Sequence, residues 1–156
     1  MSAALRARRA AAARAIEHDA RRAQVGWDDL AAWPAWTALD TPGFMLLAAR
    51  SGAWLHAAGL RRCIAGPVLQ RVRQQIGDAA FERLVATAPD ADGDAEFPAA
   101  DGWLQHEGRE ALIASVASPV LRVLLRERHA PDTLPPLPAL DSARARRAVD
   151  AALELQ

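Results

Sequence analysis

The sequence contains no lysine; all 19 of its basic residues are arginine. That excludes a phosphate-cradling Gly-x-x-x-x-Gly-Lys-Ser/Thr loop, whose lysine is the group that reaches the β- and γ-phosphates. A single cysteine, Cys63, leaves no possibility of an internal disulfide, as suits a reducing compartment. Net charge is missing as well. The 19 basic residues are balanced by 19 acidic ones, so no overall field draws the molecule to DNA, RNA or an anionic membrane. Arg6, Arg8, Arg9 and Arg14 make the N-terminus basic, but no apolar stretch follows them, so this segment does not read as a secretory leader. The longest apolar run, residues 43–49, is far too short to span a bilayer. Gly-x-Gly-x-x-Gly, Gly-x-Ser-x-Gly and His-Glu-x-x-His are absent too. With them go the usual signatures of a dinucleotide site, a nucleophile elbow and a zinc-binding helix.

What is present favours helix. Hydrophobic residues make up 51% of the 156, and alanine alone supplies 38. That is enough apolar material for one domain with a real core, and alanine, leucine and arginine are all good helix formers. No segment alternates apolar and polar residues convincingly. The pattern therefore predicts an all-α protein: a single compact helical domain of about six to eight helices with no substantial sheet. Residues 1–26 read as an exposed Ala/Arg-rich helix carrying a net charge of +4, six arginines against Glu17 and Asp19. Residues 27–130 read as the helical core domain, 131–140 as a proline-rich segment, and 141–156 as a C-terminal amphipathic helix.

Within the core, Trp27, Trp33 and Trp36, interrupted by Pro34, suggest a short helical turn pinned by its rings. Thr41-Pro42 is a plausible helix start, with Thr41 as N-cap, and Gly59 a plausible stop. Gly66-Pro67 opens another helix, with Leu69, Val72 and Ile76 on one face. Gly77 ends it, and Phe81, Leu84, Val85 and Ala88 make the next apolar stripe. Residues 89–102 are acidic and read as a loop. A helix over 103–116 follows, then the cap-plus-proline pair Ser118-Pro119 with Leu121, Leu124 and Leu125 behind it. Asp141 caps the last helix.

Few residues offer chemistry. His18, His56, His106 and His129 are scattered, with no pair at i, i+4. His56 and Cys63 lie about two turns apart, but a surface histidine and a small buried thiol account for both. Trp33 and Trp54 suit core or docking anchors better than a ligand cage. Asp90, Asp92, Asp94 and Asp101 match positions 1, 3, 5 and 12 of a calcium loop. Ala95 stands where that loop needs glycine, however, and Pro98 intrudes, so a solvated acidic loop explains them. No cofactor or metal is expected. Arg61, Arg62, Arg71 and Arg73 flank two short helices joined by Gly66-Pro67, an arrangement with a superficial likeness to a helix-turn-helix. A DNA-binding regulator using these arginines is the alternative reading.

One stretch carries a resemblance. Leu60, Arg61, Arg62, Ile64, Gly66, Leu69, Arg73, Ile76, Gly77 and Phe81 fall on the pattern Leu-Arg-Arg-x-Ile-x-Gly-x-x-Leu-x-x-x-Arg-x-x-Ile/Leu-Gly followed by an aromatic-containing helix. This resembles the middle region of the SctK proteins of bacterial type III secretion systems, the YscK/PscK/OrgA/MxiK group. Gly108, Leu112, Ser118-Pro119-Val120-Leu121, Arg126 and the prolines after it are similar to the family's C-terminal segment, so the likeness spans about residues 44–136. It implies a non-enzymatic cytosolic adaptor of the sorting platform, linking the membrane-ring protein SctD to pods of SctQ and SctL beneath the export gate. Such a protein has no transmembrane segment and is recruited to the inner-membrane face of the apparatus. Arg61, Arg62, Arg71, Arg73, Trp33 and Trp36 are the candidate partner-binding residues.

Overall fold

Helix boundaries follow from capping chemistry. In the computed structural model, which describes residues 24–87, 101–129 and 140–155 together with Arg6, Ala10, Ala12, Ala13, Arg14 and Ile16, α1 is Trp27–Ala31, followed by a 3₁₀ turn at Ala35–Ala38 and then α2 at Thr41–Leu55. α3 is Ala57–Arg62, α4 Gly66–Ile76, α5 Asp78–Thr87, α6 Trp103–Ala114, α7 Pro119–His129 and α8 Ser142–Glu154. Among the described residues there is no strand, and the fold is all-α. The acidic stretch 88–100 and the proline-rich stretch 131–139, about which the sequence raises the calcium-loop and linker questions, lie outside the described residues.

Ser118 and Asp141 cap as expected: the Leu121 N–H donates to Ser118 Oγ at 3.2 Å, and the Arg144 N–H donates to the Asp141 carboxylate at 2.7 Å. Two boundaries differ from the sequence reading. The N-cap of α2 is Asp40, whose carboxylate accepts the Gly43 N–H at 2.9 Å, rather than Thr41. Gly59 does not stop the helix but lies buried inside α3. The break comes at His56, which is both the C-cap of α2 and the N-cap of α3.

α2 and α6 form the centre. Gly52 lies against the Leu104 carbonyl and Gly108 against the Ala48 carbonyl, so the two helices run antiparallel with backbones in near contact. Each gives residues to both halves of the core. Phe44, Leu47, Leu112 and Ile113 join Trp33, Trp36, Leu121, Leu125 and Val149 in one half. Ala49, Ala53, Trp103 and Leu104 join Leu60, Val72, Ile76, Phe81 and Leu84 in the other. α8 packs against both central helices. The N-terminal helix also contributes. Arg6, Ala10, Ala13 and Arg14 are exposed, but Ala12 and Ile16 are buried in the first half. Ala12 and Ile16 are thus core residues in a segment that the sequence reads as exposed.

Three arginines hold helix C-termini together. The Arg50 guanidinium donates to the Ile76 carbonyl through Nε and Nη2, both at 3.4 Å. Arg144 Nη2 donates to the Leu55 carbonyl and Arg83 Nη1 to the Glu154 carbonyl, each at 2.9 Å. Carbonyls at helix ends lack intrahelical donors and sit at the negative end of the dipole, so a cationic fork there satisfies both needs. Burial, and then the neighbouring Arg83, hold the Arg50 pKa below the ordinary arginine value.

His129 closes the first half of the core, stacked on Phe44 with centroids 4.7 Å apart and edge-on to Trp36 at 5.8 Å. Burial, then Arg128 and Arg109, lower its pKa. The unfolded chain therefore binds this proton more readily than the folded one, and stability rises with pH across the interval between the two pKa values. The melting temperature should fall as pH drops below the ordinary histidine value of about 6.5, before most carboxylates titrate. His129→Phe should flatten that part of the profile while keeping the ring contacts. An unchanged slope in the variant would assign the effect to other groups.

Candidate protein-docking surface

The motif over residues 60–77 folds as a corner. The side chains of Leu60, Val72 and Ile76 are buried, which docks α3 and α4 on the core and turns their remaining faces outward. Between the two helices, residues 63–65 are non-helical, with Cys63 and Ala65 extended. The Cys63 N–H donates to the Leu60 carbonyl at 3.2 Å, and the Ala65 carbonyl accepts the N–H groups of Val68 and Leu69 at 3.0 and 3.2 Å. Both ends of the corner are thereby tied to helices, and at its apex Ile64 is 99% exposed.

The four candidate arginines divide. Arg62 and Arg71 lie on exposed faces and Arg61 is half-buried. Arg71 pairs with Asp101 at 3.5 Å, in solvent. Arg73 is half-buried, 4.6 Å above the centre of the Phe81 ring and 3.6 Å from the Asp78 carboxylate. Residues at i and i+2 point about 200° apart, so only one of Arg71 and Arg73 could flank the core, and Arg73 does. Arg73→Ala should therefore lower stability by about 0.5–2 kcal/mol, from a partly desolvated cation–π contact and lost stem packing. Arg71→Ala should stay within about 0.5 kcal/mol of wild type. Parallel thermal melts measure the difference, and equal effects would mean that the Phe81 contact contributes nothing.

Trp33 and Trp36 are corrected as partner-binding residues. They are 1% and 6% exposed, and Trp33 Nε1 donates to the Thr37 hydroxyl at 2.8 Å. Their rings fill the core and offer no surface to a partner. Trp27, which the sequence suggests is pinned, is 86% exposed. It opens α1, where side chains lean toward the helix N-terminus.

His56 and Cys63 form no pair. His56 Nε2 meets the Glu107 carboxylate, and its ring stands edge-on to Trp103 at 4.8 Å. The Cys63 sulfur lies 4.0 Å from the Ala65 carbonyl oxygen. Among the described residues, no group of three or more His, Cys, Asp or Glu side chains is placed to hold a metal ion. Nor is any helix among them long and apolar enough to cross a membrane.

Sequence reasoning did not select Ile64 as a surface residue. It falls in the short gap between two helical periodicities, where the 3.6-residue repeat assigns no face. The available signal was the lack of any acidic residue from Thr41 to Gly77 alongside five arginines. Compared with family models, curated proteins and solved structures, the chain matches none.

Proposed function

We propose that this chain is a non-enzymatic adaptor that acts by binding other proteins, an accessory subunit of a type III secretion sorting platform on the cytosolic side of the apparatus. The resemblance of residues 60–77 and of the segment from Gly108 to Arg126 to the SctK proteins is the basis of the family assignment. The observation that supports a binding role is the corner itself, where Ile64 stands 99% exposed between two helices that carry exposed arginines. Arginine is enriched at interface hot spots because a planar multi-donor head and an apolar stem act together. The alternative is a DNA-binding regulator using Arg61, Arg62, Arg71 and Arg73, favoured only by the helix–corner–helix arrangement of α3 and α4.

Recombinant SctQ and SctD test the two readings. An adaptor should co-elute with at least one of them in size-exclusion chromatography and leave duplex DNA unshifted at physiological salt. A chain that captures neither subunit but shifts DNA, with affinity falling steeply as salt rises, is the regulator.

A further inference from the structure

We propose that Met45 is a site of reversible oxidation by peroxide, at which the new sulfoxide oxygen is held by the Arg109 guanidinium. The proposal is independent of the adaptor reading. The chain has two methionines, Met1 and Met45. Met45 lies on α2, half-buried, and packs against the first half of the core. From α6, Arg109 Nη2 donates to its sulfur at 3.5 Å. Donor and acceptor are poorly matched there, because a guanidinium carries five N–H groups and a thioether is a weak acceptor.

The surroundings leave that guanidinium short of acceptors. Among the described residues, its Nε is buried with no hydrogen-bond partner. Burial lowers the Arg109 pKa, and the charge of Glu110 offsets this only in part. The Glu110 carboxylate is itself bonded by Arg126 Nη2 at 2.6 Å. Arg109 has thus lost water that the thioether does not replace, and an unmet buried donor costs free energy. A sulfoxide oxygen is a far better acceptor than a thioether. Oxidation supplies what the site lacks, on the atom that Arg109 already contacts. The step is a two-electron oxygen transfer. A sulfur lone pair attacks one oxygen of hydrogen peroxide and the O–O bond breaks. The sulfur is oxidised and keeps that oxygen, and the other oxygen leaves with both protons as water. The methionine side chain has three rotatable bonds, enough to turn the new oxygen toward Nη2 or Nε. In an ordinary core the same change sets a polar group among apolar neighbours and disrupts packing, and sulfoxide reductases reverse it. At Met45 the cation pairs that group.

The test treats the folded full chain with hydrogen peroxide and maps the oxidised peptides by mass spectrometry, which separates Met45 from Met1. Met45 should gain one oxygen, and methionine sulfoxide reductases of both epimer specificities should remove it. The oxidised wild type should melt within about 1 °C of the reduced protein or above it, whereas oxidised Arg109→Ala should melt about 2–4 °C below its own reduced form. The Arg109 Nε–H resonance should move when the wild type is oxidised and stay in place when peroxide is added to Met45→Leu, which cannot form the sulfoxide. If Arg109→Ala does not fold, Met45→Gln takes its place, with an amide carbonyl standing in for the sulfoxide. Melting at or above wild type then supports the pairing, and melting about 2–4 °C lower overturns it. The proposal also fails if Met45 stays reduced in the folded chain while Met1 is oxidised, if oxidation lowers the melting temperature of wild type and Arg109→Ala equally, or if the Arg109 resonance does not move.

Discussion

Gly108→Ala should lose at least about 2 kcal/mol of stability and melt about 4–8 °C lower. In an ordinary helix interior this substitution is favourable by about 1 kcal/mol, so the expected sign is opposite to what propensity predicts. The reason is geometric. A Cβ on Gly108 would lie far inside van der Waals contact with the Ala48 carbonyl and 2.8 Å from the Gly52 nitrogen. Both neighbours are backbone, so no rotamer change relieves the overlap and α2 and α6 must separate. That separation loosens both halves of the core at once, since each draws on both helices. Gly66→Ala is the control. Nothing lies within 4 Å of its added Cβ and its φ is not in the left-handed region, so it should leave stability unchanged or raise it by up to about 1 kcal/mol. Chemical denaturation of the two variants side by side decides the matter; equal stability would refute the close crossing.

Trp33→Ala should be the other severe variant, costing about 3–5 kcal/mol, or about 6–20 °C in melting temperature. Its indole is buried among Trp36, Phe44 and the leucines of α6 and α7, and its N–H is satisfied by Thr37, whose hydroxyl donates in turn to the Pro34 carbonyl at 2.7 Å. Truncation leaves a cavity and removes the donor from that chain of bonds. Trp27→Ala, at a ring 86% exposed, should change stability by no more than about 0.5 kcal/mol. Melting curves of the pair separate a core tryptophan from a surface one. A stable Trp33→Ala protein that lost capture of SctQ or SctD would return Trp33 to the interface.

The contrast between those two tryptophans marks the boundary of what sequence conveys. The all-helical class, the caps at Ser118 and Asp141, the break at Gly77 with its φ of 89°, and the buried stripe Val72–Ile76 were legible in the chain alone. Each depends on groups within about one helical turn, where hydrogen bonding and the 3.6-residue repeat act locally. For the candidate site, the sequence supplied the arginines and the motif around them. It determined too that at most one of Arg71 and Arg73 flanks the core, because helical geometry alone places them far apart. Only the tertiary structure decided which one, by setting Phe81 beneath Arg73. It alone buried Trp33 and Trp36, left Trp27 outside, and raised Ile64 fully into solvent. It alone turned Arg50, Arg83 and Arg144 into caps for helix ends 26, 71 and 89 residues away in the chain, and brought Gly52 and Gly108 into backbone contact. A side chain's fate is set by what packs against it, and those neighbours come from distant parts of the chain that no local periodicity encodes.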